Sequence, residues 1–340
     1  IIKKLKENPA VETVYALPGN GGIAADAVCV PQISATDIGA IVDFAVSHAV
    51  GFAVVAPDDP LALGMVDALE DAGIPAFGPR ADAAIIEASK IFSKNLMAKY
   101  HIPTAKYQTF TELAPALAYI EAEGAPIVVK ADGLALGKGV LICEDEAAAL
   151  AAVKSIMEDR QFGASGSRIV IEEFLTGPEV SVLSFTDGKT VVPMVSSMDH
   201  KRALDGDRGL NTGGMGTFTP CPFYDAAAEK EVMENILLPT MRAMNAEGRP
   251  FKGVLYFGLM RTNEGYKVVE YNARFGDPET QVVLPMLKTD ILDIFEAVTD
   301  ERLSELKIEW EEGACVCVVL ASGGYPEKYE KGKQIEIGAL

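Results

Sequence analysis

Histidine is scarce in this sequence, with three in 340 residues, which excludes a histidine-rich metal centre. Cysteine is scarce too. Cys29, Cys143, Cys221, Cys315 and Cys317 are odd in number, scattered, and mostly set in strand-like apolar segments. That argues against a disulfide framework and for buried thiols in a reducing compartment, the cytoplasm. Cys315-Val316-Cys317 lacks the second Cys or His pair that would make it a metal or redox site. No apolar run is long enough to span a bilayer, so no membrane partner is expected. Positive charge is short as well: 30 Lys and Arg stand against 49 Asp and Glu, a net charge of −19. Such a balance disfavours nonspecific binding to nucleic acid or anionic membranes. A small anionic ligand remains compatible with it, because a local cluster of Lys and Arg can bind one. An initiator Met and a signal peptide are also missing, and the last residues, "KQIEIGAL", read as the middle of a strand. The chain is therefore expected to be part of a longer protein.

What is present is an ordinary globular composition, 49% apolar and 23% charged, with length for two or three cores. Residues 1–88 alternate strands and helices. "VETVYAL", "GFAVVAP" and "IPAFG" read as strands, and "TDIGAIVDFAVSHAV" as a helix with Thr36 as its N-cap. "PLALGMVDALEDAG" reads as one helix closed by Gly73. This βα alternation implies a parallel sheet. From Ser89 the pattern changes to helices at 89–102, 112–124 and 144–160, with strands "APIVVKA", "VLIC", "RIVIEEFL" and "EVSVLSFT". The last two, joined by "LTGPE", read as a hairpin-like pair, and the block as a small α+β lid inserted in a larger domain. Residues 196–216 read as a long polar loop, which in a compact domain is usually functional or disordered. A helix over 225–247, the strand pair "GVLYFGLMRT" and "GYKVVEYN", and two helices near 278–287 and 290–299 follow.

Four stretches carry the chemistry. The strand "GYKVVEYN" runs into "ARFGDPETQ". Period-two alternation puts Val268, Glu270, Asn272 and Arg274 on one face and Val269 and Tyr271 on the other. Glu and Asn oxygens suit a hard ion such as Mg²⁺, and Arg274 suits a carboxylate or phosphate. Alone, the cluster fits a salt-bridged strand end equally well. In "KADGLALGKG", Lys130 ends a strand and Gly133, Gly137, Lys138 and Gly139 form a loop able to wrap phosphate oxygens. Its spacing is neither a Walker A motif nor a dinucleotide fingerprint. "IEEFLTGPE" places Glu172, Glu173, Leu175 and Glu179 after a strand, where backbone groups could pair with an adenine edge and Glu179 could reach a ribose; an acidic hairpin is the plainer reading. "MDHKR…NTGGMG" sets Asp199, His200, Lys201 and Arg202 before Asn211, Thr212, Gly213 and Gly214, a cationic cluster and a glycine turn suited to an anion, or a solvated loop. His200 reads as a hydrogen-bonding support.

Taken in order, a helix lysine (Lys90), a strand lysine with a Gly-rich loop, an acidic hinge and Glu-x-Asn on a strand resemble the ATP-grasp superfamily. "RFGDPETQ", "DHKR…NTGGMG", "KADGLALGKGV", "PGN" at 18–20 and "APDDPL" at 56–61 narrow the resemblance to the phosphoribosylamine–glycine ligase family, over essentially the whole chain. The resemblance implies an α/β fold: a Rossmann-like parallel-sheet domain over 1–88 lacking its first strand, then an ATP-grasp fold over 89–305. That fold has two α+β subdomains, one a mobile lid at about 108–176, and 306–340 begins a further domain.

The resemblance also implies an activity: ATP-dependent joining of glycine to 5-phosphoribosylamine through a glycyl phosphate, in purine synthesis. It implies ATP with Mg²⁺ or Mn²⁺ on Glu270 and Asn272. Lys90, Lys130, Gly133, Gly137, Lys138, Gly139, Glu172, Glu173, Leu175 and Glu179 would bind ATP. Arg274, Asp199 and Lys201 would be catalytic. Gly19, Asn20, Arg202, Asn211, Thr212, Gly213, Gly214, Asp277, Pro278 and Glu279 would hold the substrates. The partners expected are these small molecules and, as neighbours, other purine-pathway enzymes. Three rivals stay open. Another ATP-grasp ligase or carboxylase is disfavoured by the 274–279 string. A Rossmann oxidoreductase is disfavoured by the missing G-x-G-x-x-G. A noncatalytic nucleotide-binding regulator is disfavoured by Glu270, Asn272 and Lys130.

Overall fold

The computed structural model describes residues 1–134, 139–159 and 163–336. The first part is βα, as the alternation predicts, with very short strands. β1 (Tyr15–Ala16) pairs in parallel with β2 (Val28–Cys29), and β3 (Ala53–Val54) with β4 (Ala76–Phe77). Two sequence expectations change here. The helix Ile38–Ser47 is capped by Asp37, whose carboxylate accepts from the Ala40 amide at 3.1 Å, and Thr36 lies outside it. Asp is the stronger cap because a charged oxygen binds the free N–H groups better. The next segment is two helices, Asp58–Ala62 and Met65–Asp71, broken at Gly64 with φ +90°.

Among the described residues the second part contains two four-stranded antiparallel sheets and two smaller ones. β5 (Tyr107–Phe110), β6 (Ile127–Ala131), β7 (Val140–Cys143) and β8 (Ile169–Glu173) form one, in the order β5-β8-β6-β7. Helices Leu113–Glu123 and Glu146–Met157 accompany it. They share a separate apolar core with it, including Phe110, Ile120, Val129, Val153 and Ile171. β9 (Glu179–Asp187) and β10 (Val191–Pro193) open the other sheet. After them come β11 (Met198–Asp199), β12 (Arg202–Leu204), β13 (Arg208–Asn211) and β14 (Gly216–Thr219). β15 (Lys252–Thr262) and β16 (Gly265–Asn272) complete that sheet in the order β10-β9-β15-β16. β17 (Cys315–Val318) joins β11 and β14 in a third.

The hairpin expected across "LTGPE" does not form, because β8 and β9 belong to different sheets. The chain crosses between them at Gly177, where φ is +147° and an added Cβ would lie 2.0 Å from the Arg261 carbonyl oxygen. No other residue tolerates both conditions. The stretch 196–216, expected as a loop, carries the β12–β13 hairpin and the edges of β11 and β14. Cys143 and Cys221 are buried; Cys29, Cys315 and Cys317 are half-buried, and all five are free.

β16 departs from simple alternation. Its register with β15 pairs Glu270 with Gly258 and Val268 with Leu259, so Val269 is an extra residue. This β-bulge resets the faces. Val268 and Tyr271 pack in the same core with Tyr266 and Ala273, whereas Glu270 and Asn272 are half-buried away from it. The face expected to hold Val268 with Glu270 is therefore corrected: the bulge turns Glu270 and Asn272 out of the core together.

Candidate active site

Glu270 is the electrostatic centre. Lys201 Nζ lies 3.5 Å from its Oε1 and 3.4 Å from Glu179 Oε2, joining the end of β16 to the start of β9. Burial alone pushes the Glu270 carboxyl up. Lys201, Lys130, Lys90 and Arg274 overcome that and hold it below the ordinary carboxylate range. Burial acts against the Lys201 ammonium, and Glu270, Tyr256, Glu179 and Asp199 reverse this, raising it well above its usual value. A carboxylate ringed by four cations is ionised throughout neutral pH.

The lysines reach Glu270 from the other sheet and its leading helix. Ser89 caps Lys90–Lys99, its hydroxyl accepting from the Phe92 amide at 3.1 Å and donating to Asp132 Oδ1 at 3.0 Å. Lys90 Nζ donates to the Gly133 carbonyl at 2.8 Å, which holds the start of the Gly-rich loop against this helix. Burial lowers the Lys90 pKa, with Glu270 opposing. Gly139 closes the loop by accepting from the Ala131 amide at 2.8 Å. Gly137 and Lys138 lie outside the described residues. Lys130 Nζ donates to the carbonyl of the bulged Val269 at 3.1 Å, so the bulge couples the two sheets.

Glu172 faces inward. Its oxygens sit 3.0 Å from Lys94 Nζ and 3.0 Å from Lys130 Nζ, with all three side chains at most 6% exposed. It is the buried counter-ion of two lysines. Glu173, 3.5 Å from Lys267, and Leu175 remain half-buried at the crossing.

A second polar chain runs behind Lys201. Ser181 Oγ donates to Glu279 Oε1 at 3.0 Å and meets the Tyr256 hydroxyl at 2.9 Å. Burial and Glu279 push the Asp199 carboxyl up to about 7, with Lys201 opposing. Gly214 (φ +115°) packs the glycine turn onto this point, where an added Cβ would lie 2.4 Å from Pro278 Cδ and 2.9 Å from Asp199 Oδ1. Thr212 fixes the same turn by donating to the Lys201 carbonyl at 2.8 Å. Gly213 donates its amide to the Tyr325 hydroxyl at 3.0 Å. Arg202 and Asn211 stand apart on the β12–β13 hairpin, where Arg202 donates to the Gly209 carbonyl at 2.8 Å.

The sequence leaves the carboxylate partner of Arg274 unnamed, and Asp277 and Glu279 are the acidic residues that follow it most closely along the chain. Arg274 pairs instead with Glu87, Nη2 to Oε1 at 3.2 Å, while Asp277 accepts from Gln281 at 2.6 Å. Gly19 and Asn20 line a cleft of about 2250 Å³ that reaches Gly276 and Asp277. Glu87, Lys94, Ser181 and Tyr256 were not found by reading the sequence. Only Lys94 left a signal, one helical turn after Lys90.

Two α+β sheets meeting at converging lysines and a Glu-x-Asn strand end define an ATP-grasp enzyme. Solved structures share that fold. The biotin carboxylase domain of Hydrogenobacter thermophilus 2-oxoglutarate carboxylase, in complex with MgADP, superposes with TM-score 0.71 at 15% identity, covering 93% of this chain and 70% of that one. At that identity the likeness is one of fold. The chain belongs to the phosphoribosylglycinamide synthetase family. The model of that family's N domain matches residues 1–87, and the model of its ATP-grasp (A) domain matches residues 88–280. Phosphoribosylamine–glycine ligase of Listeria monocytogenes serotype 4b is 49% identical over 335 residues, 98% of this chain and 80% of that protein. The Thermotoga maritima phosphoribosylamine–glycine ligase structure superposes with TM-score 0.85 at 29% identity, covering 99% of this chain and 80% of that one.

Proposed function

We propose that this ATP-dependent ligase joins glycine to 5-phosphoribosylamine, giving glycinamide ribonucleotide, ADP and phosphate in purine biosynthesis. Family membership and the relatives at about half identity support the reaction. The observation that supports its placement is the Glu270 carboxylate ringed by Lys90, Lys130, Lys201 and Arg274.

A carboxylate is a poor acyl donor, so the glycine oxygen attacks the γ-phosphorus of ATP and ADP departs. The amine of phosphoribosylamine then attacks the acyl carbon, loses a proton, and phosphate leaves with the former carboxylate oxygen. Two anions must meet in the first step, and fixed cations lower that repulsion. In our reading Lys90 and Lys130 grip the α- and β-phosphates, and the 132–139 loop covers the γ-phosphate. Backbone groups at Glu173 and Leu175 take the adenine, and Glu179 the ribose. Glu172 acts by holding Lys130. Arg274 offsets charge on the acyl phosphate. Asp199, Lys201, Arg202 and the Asn211–Gly214 turn place glycine and the ribose phosphate, with Gly19, Asn20, Asp277, Pro278 and Glu279 lining the pocket.

Glu270, held ionised, and Asn272 beside it offer hard oxygens, which fit Mg²⁺ or Mn²⁺. Among the described residues no group of three or more His, Cys, Asp and Glu could hold a metal, and Glu270 and Asn272 are the side chains that would hold the ion in this reading. Such a cation would supply charge neutralisation between the phosphate groups.

We read the chain as units at 1–88, 89–305 and 306–340, with residues of about 108–176 as a lid; the separate core of that sheet supports the lid. No described helix is long and apolar enough to cross a membrane. We assign the protein to the cytoplasm, beside other purine-pathway enzymes. Glycine labelled with ¹⁸O in its carboxylate tests the chemistry. One label per turnover should appear in inorganic phosphate, and unlabelled phosphate would rule out the acyl phosphate.

A further inference from the structure

Glu87 lies at the end of the helix Ala81–Ala88, two residues before the Ser89 cap and three before Lys90. The other inward residues of that helix, Ala83, Ala84 and Ile86, are apolar and essentially unexposed. Glu87 interrupts them with a carboxylate whose side chain is 8% exposed. Its Oε2 accepts from the Ala273 amide at 2.7 Å, and its Oε1 sits 3.2 Å from Arg274 Nη2. The Arg274 guanidinium also donates to the Phe275 carbonyl at 3.1 Å.

A buried carboxylate is an expensive way to hold a helix in place, since apolar residues of similar volume usually pack as well or better. What it supplies is geometry. One side chain fixes both the backbone leaving β16 and the guanidinium that follows it. The same elbow carries Lys90 to the Gly133 carbonyl and Ser89 to Asp132. It therefore ties Asp132 and Gly133, where the Gly-rich loop begins, and the end of the Glu-x-Asn strand to a single corner.

We propose that Glu87 is a positioning residue for the ligase reaction, holding Arg274 and the Ala273 amide so that the guanidinium stays turned towards Glu270 and the transferring phosphoryl group. The proposal rests on the reading of Arg274 given above. Arg274 has free torsions along its whole side chain, and besides Glu87 the group that binds it at hydrogen-bond distance among the described residues is the neighbouring Phe275 carbonyl. Misplacing a charge-stabilising group affects the chemical step more than ground-state binding.

The test uses the holoenzyme with saturating Mg²⁺ and three variants. Glu87→Gln keeps an acceptor for Ala273 but loses the charge facing Arg274. Glu87→Asp keeps the charge on a shorter arm. Arg274→Lys removes the planar fork. We expect Glu87→Gln to lower kcat roughly ten- to a hundredfold while KM for ATP moves less than threefold, with partial recovery in Glu87→Asp. The double variant Glu87→Gln/Arg274→Lys should be no slower than the slower single variant, because both remove the same contribution. Multiplying effects in the double variant would overturn the positioning role. So would lost stability with unchanged kcat of the folded fraction, or loss of cooperative unfolding in both Glu87 variants. If Arg274→Lys alone leaves kcat unchanged, the reading of Arg274 fails first and the proposal falls with it. If Arg274→Lys is slow and Glu87→Gln is not, only the role of Glu87 fails.

Discussion

Glu172 offers the clearest energetic prediction, because it holds two lysines in a site shut off from water. Its oxygens lie 3.0 Å from Lys94 and 3.0 Å from Lys130, and the side chains are 3–6% exposed. Lys94 also donates to the Thr104 hydroxyl at 2.7 Å, which in turn donates to the Val268 carbonyl at 2.7 Å. Glu172→Gln keeps shape and removes the charge. Two buried ammonium groups then lose the carboxylate that bridges them. Breaking a buried pair from one side costs about 3–5 kcal/mol. For 340 residues, at an unfolding entropy of roughly 2.1 cal/mol/K per residue, that lowers Tm by about 4–7 °C.

The pH dependence has a definite sign. Burial drags the Lys94 ammonium down to about 8, and Glu172 opposes that fall. Without Glu172 it falls further. A lysine whose folded pKa lies below its unfolded value binds fewer protons folded than unfolded between the two values, so stability rises with pH across that window. The gap between Glu172→Gln and the parent should therefore narrow from pH 7 to pH 9.5. Urea titrations at each pH read this directly. Lys94→Met, which leaves the Glu172–Lys130 pair intact, should cost less than Glu172→Gln. Equal stabilities of parent and Glu172→Gln within about 0.5 kcal/mol at pH 7, beyond the usual error for surface changes, would refute the buried network.

Three further outcomes follow from the site. Glu270→Gln should weaken metal-dependent turnover by roughly a hundredfold or more, ~3 kcal/mol of transition-state stabilisation, with Tm little changed. Parental activity across a Mg²⁺ titration would remove Glu270 from the metal. Asp199, raised to about 7, binds a proton when folded that its unfolded form has released. Its ionisation thus erodes stability as pH rises from about 4 to 7. Asp199→Asn should gain on the parent by on the order of 1–2 kcal/mol between pH 5 and pH 8, after allowance for partial exposure; parallel stability curves would contradict this. Gly214→Ala meets both a left-handed backbone and Pro278, and should cost ~1–3 kcal/mol in urea titrations together with most of the activity.

The sequence was most legible where a local rule is strong. The helices at Lys90–Lys99 and Ile291–Thr299 and the β15–β16 pair lie where periodicity puts them. The Glu270, Asn272, Lys130 and Lys201 grouping was visible because the chemistry sits in short motifs. What was hidden depends on tertiary partners. The bulge at Val269 cannot be seen in "KVVEYN", since it arises from register with β15 and from the Lys130 contact with its carbonyl. The "LTGPE" crossing looks like a turn locally, and only packing against Arg261 assigns its two strands to different sheets. Glu87 sits 187 residues from Arg274 (274 minus 87), so no spacing rule joins them. Glu172 shares its local pattern with Glu173, and burial alone separates their roles.

The central claim is that the carboxylate ringed by Lys90, Lys130, Lys201 and Arg274 marks where ATP activates glycine for attack by phosphoribosylamine. ADP release, followed in the protein carrying this chain with each substrate omitted in turn, tests it most directly. Rapid ADP formation is expected only with ATP, a divalent cation, glycine and phosphoribosylamine all present, with glycinamide ribonucleotide formed one for one and the rate lost in Glu270→Gln. ADP release that is indifferent to glycine, or undiminished in Glu270→Gln, would contradict it.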